Sequence, residues 1–219
     1  MFLKLTKIAS RKNLRVFIEK EIQKTSSENK KLKIVNIGVG GEIEEIIKKF
    51  SNIEIFNIDI DSARKPDLVY DICDSSIKNK LPFAPDIITA FEVLEHVENP
   101  ILAVENIHNI LEKNNICLCS VPFNFHIHDE PKDFYRFTYF GLKLLFKNFD
   151  SVVIKKRNGW LESIFVNLIR LYKEKNILSK ATGILFSIFY IIIYPIIILL
   201  QKIITSNKLT TGYFVVAKK

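Results

Sequence analysis

The sequence predicts an α/β chain built on a parallel, doubly wound sheet. Three observations carry this prediction. Short apolar or β-branched runs recur along the chain and end in Gly, Asp or Pro. Patterns of helical period lie between most of them. The first run passes through glycines directly into a helical pattern, which is how a βαβ series begins.

Taken in order, residues 1–31 read as a basic amphipathic helical segment in which Leu14, Phe17, Ile18 and Ile22 fall at helical spacing, and this apolar side is expected to touch a membrane surface. The core follows over 32–158. Its strands are "LKIVNIG" (32–38), "IEIFNID" (53–59), "LVYDI" (68–72), "DIITAF" (86–91), "ICLCSVP" (116–122) and "SVVIKKR" (151–157), with helical patterns in "EIEEIIKKF", "PILAVENIHNILEK" and "FGLKLLFKNF". Residues 159–211 interrupt the sheet with two helical candidates. The first is "WLESIFVNLIRLYKEK" (160–175); the second is the stretch Ala181–Gln201, whose only ionisable side chains are two tyrosines. The last strand, "GYFVVAKK", closes the core over 212–219.

With 219 residues and 48% hydrophobic composition the chain can bury one sizeable core. Cys73, Cys117 and Cys119 form neither an even set nor a C-x-x-C pair, and the N-terminus lacks the order of charge, apolar run and small residues of a signal peptide, which points to the cytoplasm. The net charge of +8 is unevenly placed. Residues 1–33 hold ten Lys/Arg against three Glu, residues 34–154 eleven against nineteen acids, and residues 155–208 nine against two. An acidic middle argues against nucleic acid as a partner, and basic flanks beside an apolar run fit the anionic inner face of a cell membrane.

The stretch "VNIGVGGEIEEI" lets the backbone approach a cofactor at the glycines and offers free N–H groups to its polar tail at the following helix start. Ile43 stands where a dinucleotide fingerprint wants a third glycine. Asp59 ends the next strand in "NIDID", "YDICD" follows, and the fourth strand leads into "FEVLEHVENP". At these spacings the chain closely resembles the class I S-adenosylmethionine-dependent methyltransferases, over roughly residues 32–158 and the last strand. The resemblance implies a Rossmann-like seven-stranded methyltransferase sheet, with a hydrophobic helical insertion before an antiparallel last strand, and S-adenosyl-L-methionine as cofactor. It would place Gly38, Val39 and Gly40 at the methionine part, Asp59 and Ile60 at the ribose, Asp71 and Ile72 at the adenine, and Phe91 at the close of the pocket. Asn36 stands where the family usually has a carboxylate facing the cofactor's ammonium.

Glu92, Glu95 and His96 fall at i, i+3 and i+4, one face if the segment is helical. Some relatives use Glu-x-x-Glu-His as a divalent metal site, for which His126 or His128 after the fifth strand would supply a fourth ligand; in many others these residues cap and pack. The loop "FNFHIHDEPKDFYRFT" follows the fifth strand at the edge where the methyl is exposed, and concentrates His126, His128, Asp133, Tyr135 and Arg136. It resembles a pattern in bacterial methyltransferases associated with surface-glycan and lipid-linked sugar synthesis. His128 is the first candidate for a general base, while Asp133 and Arg136 equally suit a pair pinning the loop.

The expected activity is methyl transfer to a hydroxyl or carboxyl of a lipid-linked or otherwise amphipathic small molecule at the membrane. The alternatives are a non-catalytic cofactor-binding protein and an RNA 2′-O-methyltransferase. The strands at 151–157 and 212–219 must share one side of any membrane, so 159–211 is expected to form a monotopic hairpin. Pro195 would break or kink its apolar helix, and Lys173, Lys175, Lys180 and Lys202 would sit at the headgroups. An interface in a homodimer would hide the same apolar area.

Overall fold

The computed structural model describes residues 2–26, 30–40, 43–206 and 208–219, with side chains from residue 13 onward. Seven strands form one sheet: β1 (Leu32–Ile37), β2 (Ile53–Asp59), β3 (Leu68–Val69), β4 (Ile87–Phe91), β5 (Ile116–Pro122), β6 (Ser151–Lys156) and β7 (Gly212–Lys218). Their order is β3-β2-β1-β4-β5-β7-β6, parallel except for β7, which runs antiparallel to both neighbours. The Rossmann-like class I methyltransferase sheet is therefore present, with a helical insertion before its last strand.

Alternation along the strands divides the core between two faces. Val35, Ile37, Ile88, Ala90, Cys117, Cys119, Val121, Val215 and Ala217 face α3 (Pro100–Ile110) and α4 (Tyr139–Leu145). Leu32, Ile34, Ile87, Phe91, Leu118 and Phe214 face α1 (Phe2–Thr25) and α2 (Ile43–Ile47). Asn99 caps α3 by accepting from the Leu102 N–H at 3.1 Å, with Pro100 at the first helical position, and Thr138 caps α4 by accepting from the Gly141 N–H at 3.0 Å.

The apolar residues of α1 correct one expectation. Leu14, Phe17, Ile18 and Ile22 are buried against the sheet, and the Phe17 ring stacks on Phe214 at 4.6 Å, so this face covers the core and is not offered to a membrane. The helix after the glycine turn is also shorter than expected, at five residues; Gly41 and Glu42 of that turn lie outside the described residues.

Residues 159–211 fold as a helical hairpin. In α5 (Trp160–Arg170) the Glu162 side chain accepts from the Gly159 N–H at 3.1 Å, and a 3₁₀ turn over Leu171–Lys173 ends it earlier than its pattern suggested. Asn176 then caps α6 (Ile177–Ile203), accepting from the Leu178 N–H at 2.8 Å. A β-carbon on Gly183 would lie 2.2 Å from the Tyr172 backbone nitrogen, which is how closely the two arms approach. Phe165, Ile169, Tyr190 and Ile197 form a small core between the arms. α6 continues through Pro195, so of the break or kink expected there the break does not occur.

Candidate active site

A cleft of about 1080 Å³ opens at the carboxyl ends of β1, β2 and β4. Gly38 and Gly40 line it with φ of +84° and +128°, angles that side-chain-bearing residues rarely adopt. A β-carbon on Gly38 would lie 2.5 Å from Val93 Cγ2. The Asp59 carboxylate, nearly buried, accepts from the Val39 N–H at 2.7 Å and from the Asp61 N–H at 2.8 Å, tying the glycine turn to the tip of β2. Each oxygen keeps further acceptor capacity for a diol. Val39, Ile60, Asp71, Ile72 and Phe91 complete this half. A cradle that a β-carbon would fill, beside carboxylates, fits the sulfonium and ribose of S-adenosylmethionine. Asn36 does not line the cleft. It is buried beneath the turn, where its carbonyl accepts from the Thr89 hydroxyl at 2.8 Å and its amide donates to Asn57 Oδ1 at 3.0 Å, clamping β4, β1 and β2 together.

The second half is built differently from the expected helix face. Glu92 has φ +55° as the chain leaves β4, and Leu94–His96 is only a 3₁₀ turn. The Glu92 carboxylate therefore swings to the Ser120 hydroxyl, which donates at 2.7 Å, and to the buried Arg157 guanidinium. Burial alone would raise its pKa, but Arg157 and Ser120 hold it below the ordinary value. Glu92 is thus no partner of Glu95 and His96. The groups that gather are Glu95, His96 and His128, whose candidate ligand atoms lie within 4.8 Å of one another. Glu95 is fully buried with neither carboxylate oxygen hydrogen-bonded among the described residues, and burial together with Glu92 raises its pKa to about 7.

In the loop after β5, His128 lines the cleft and the other candidates do not. Asp133 accepts from the His128 backbone N–H at 2.8 Å and lies 3.3 Å from its Nδ1, while Nε2 is 3.7 Å from Glu95. Burial would lower the His128 pKa, but Glu95 and Asp133 raise it overall. Arg136 donates to both Asp133 oxygens at 2.6 Å and to the carbonyls of Phe125 and His126, so the pair pins the loop. Tyr135 donates to the Glu98 carbonyl at 2.9 Å. His126 is packed behind the cleft, its pKa lowered to about 3 by burial and by the charges of Arg170 and its neighbours.

Several residues reach the cleft that the sequence did not assign to it: Arg15 from α1, Arg157 after β6, Arg170 and Tyr172 from the hairpin tip, and Leu14 and Lys173, which were expected at a membrane surface. The one available signal was "KKR" ending a strand, since strand ends in this architecture face the site. The others are brought in by tertiary packing.

The description "methyltransferase domain" matches residues 10–157. No curated protein matches the chain in sequence. Among solved structures, a SAM-dependent methyltransferase from Archaeoglobus fulgidus is similar over the whole of both chains at 15% identity, with a TM-score of 0.60. The [4+2]-cyclase SpnF is similar over 93% of this chain and 80% of its own, at 12% identity and a TM-score of 0.57. Phosphoethanolamine N-methyltransferase 2 of Haemonchus contortus, solved with S-adenosyl-L-methionine, is similar over 94% of this chain and 52% of its own, at 12% identity and a TM-score of 0.55. At such identities these likenesses speak to the fold.

Proposed function

The chain belongs to the methyltransferase-domain family and is a class I S-adenosylmethionine-dependent enzyme, and from that premise we propose that it O-methylates a lipid-linked, glycan-precursor or otherwise amphipathic small molecule at the inner face of the cell membrane. When bound, the cofactor supplies a methyl group already activated on a sulfonium. The chain's own work is placement and proton removal. The glycine turn and Asp59 would hold the donor, Arg157 fixes Glu92 beside it, and His128, oriented by Asp133, takes the acceptor's proton. The acidic central region disfavours nucleic acid as acceptor.

The observation that carries the membrane part is the outer face of α6. Ile177, Leu178, Leu185, Ile192, Ile196, Leu199 and Ile203 are all more than half exposed, along a helix of 27 residues. Such a length could cross a bilayer, but the ends of the insertion are held together: Asn158 Oδ1 accepts from the Thr211 N–H at 3.0 Å and from the Thr210 hydroxyl at 3.2 Å. With α5 only 11 residues long, about 16 Å at 1.5 Å per residue, the hairpin suits one leaflet. Lys173, Lys175 and Lys180 at its tip and Lys202 near its base suit anionic headgroups.

Flotation of the intact protein with vesicles containing anionic lipid tests this reading. The protein should float, and replacing residues 160–208 with a short Gly/Ser linker should leave it in the soluble fraction with S-adenosylhomocysteine binding retained. An intact protein that stays soluble as a dimer without detergent and does not float would assign the apolar face to a homodimer instead.

A further inference from the structure

We propose that the acceptor carries a phosphoryl group, received at the tip of the hairpin by Arg170, Tyr172 and Lys173. The lipid part of the acceptor rests on the membrane reading above; the phosphoryl part rests on the cleft itself.

Charge divides the cleft lining. Around the glycine turn the carboxylates are Asp59, Asp61 and Asp71, facing the half that suits a cationic donor, with Arg64 among them. The half beneath the hairpin is lined by Arg15, Lys132, Arg157, Arg170 and Lys173 against Glu92, Glu98 and Asp129. Arg157 pairs with Glu92, and Arg15 with Glu19 at 2.8 Å. The Arg170 guanidinium is half-buried, stacked over the Phe125 ring at 4.8 Å, with Nη1 3.3 Å from His126 Nε2, which holds its fork at the cleft wall. Burial and the fields of Arg170, Lys173 and Arg136 keep the neighbouring His126 imidazole neutral, a sign of how positive this end is.

Tyr172 makes the preference specific. It lines the same stretch, and its hydroxyl oxygen is buried with no hydrogen-bond partner among the described residues. A buried hydroxyl left without a partner is costly, and an anionic oxygen would satisfy it. An arginine fork, a lysine point charge and a phenol donor on one turn suit the several oxygens of a phosphoryl group better than the two of a carboxylate. Four residues beyond Lys173, Ile177 and Leu178 expose apolar side chains, 79% and 74% accessible. The head and the chain of an amphiphile therefore meet adjoining surfaces.

The test uses the full-length chain in neutral dodecyl maltoside with saturating S-adenosylhomocysteine, and reads the thermal shift on titration with dodecyl phosphate, dodecanol or inorganic phosphate. Dodecyl phosphate should stabilise the protein at a concentration about tenfold lower than inorganic phosphate does, and dodecanol should not stabilise it. The Arg170→Gln/Lys173→Gln variant should raise the half-saturating dodecyl phosphate concentration about tenfold or more, as expected for loss of charge-assisted hydrogen bonds. Arg170→Lys, which keeps the charge but not the fork, should fall between the wild type and the Gln variant, and continued S-adenosylhomocysteine binding reports an intact core in each variant. Equal shifts with dodecanol and dodecyl phosphate, or an unchanged Gln variant, would overturn the phosphoryl site while leaving the amphiphile reading standing. Inorganic phosphate as effective as dodecyl phosphate would keep the anion site and overturn its lipid source.

Discussion

At Glu92 the chain leaves β4 in a left-handed conformation, which costs a side-chain-bearing residue about 1–2 kcal/mol. The return is an ion pair with Arg157 and a hydrogen bond from Ser120, and the consequence is that Glu92 is not among the ligand atoms gathered from Glu95, His96 and His128. Of the candidate residues His126, His128, Asp133, Tyr135 and Arg136 in the loop after β5, His128 is the one that reaches the cleft. His128→Ala is therefore expected to lower kcat by about 100-fold or more, the usual contribution of a positioned base, with S-adenosylhomocysteine affinity nearly unchanged by calorimetry; full activity in this variant would remove it from the proton path. Asp133 acts behind it. Its carboxyl is lowered from 3.8 to about 2, despite burial, by Arg136 and the His128 backbone N–H. A depressed carboxylate contributes stability that is complete above its unfolded pKa and drains away as pH falls through the folded one. Wild-type stability should thus fall more steeply than that of Asp133→Asn between pH 3.8 and about 2, and at neutral pH Asp133→Ala should cost about 3 kcal/mol by chemical denaturation, because Arg136 loses its partner.

Among the elements, α1 shows how an amphipathic pattern is ambiguous by itself. Leu14, Phe17, Ile18 and Ile22 would serve a membrane or a sheet equally well, and the sheet takes them because Leu32, Ile34, Leu118 and Phe214 present an apolar face of their own. Phe17→Ala should cost about 3–5 kcal/mol, the range for deleting a buried phenyl group, measured by urea denaturation, while leaving vesicle flotation of the folded protein unaltered. A destabilisation under 1 kcal/mol together with lost flotation would return α1 to the membrane. α6 behaves oppositely. Gly183, Ser187, Tyr190 and Ile197 fall on one stripe and pack inward, leaving the rest of an apolar helix uncovered.

For the whole molecule, the decisive feature is that the insertion is clasped to the sheet at its base and reaches the cleft at its tip. Asn158 Oδ1 collects donors from Ser163, Thr210 and both the N–H and hydroxyl of Thr211, at 3.0 to 3.2 Å. Asn158→Ala leaves the buried Thr211 N–H and hydroxyl without their acceptor, while Ser163 and Thr210 keep the carbonyls of Gly159 and Gly212 at 2.7 and 2.9 Å. It should cost about 2–3 kcal/mol and raise hydrogen exchange selectively over residues 160–210, with the central strands still protected. Uniform loss of protection across β1, β4 and β5 would show instead that insertion and sheet unfold as one cooperative unit.

The sequence alone determined the strands, since alternating β-branched runs bounded by Gly, Asp and Pro bury two faces only as a covered sheet. It also brought Gly38, Gly40 and Asp59 together along one side of the cleft, because they act through backbone shape and local position, which short-range spacing encodes. The opposite wall of the cleft was decided by tertiary structure. His128 was legible because it lies in a loop at a strand end, but Arg170, Tyr172 and Lys173 reach the cleft only because α5 folds back over the loop after β5, where the Asn167 amide donates to the Asn124 carbonyl at 3.0 Å. Asn36 and Glu92 likewise took roles that spacing could not foretell. One lies beneath a turn with Thr89 and Asn57 as partners from neighbouring strands, and the other is turned by a single φ toward Arg157, 65 residues away. Contacts between residues so distant in sequence depend on register and crossover, and these exist only once the sheet has closed around them.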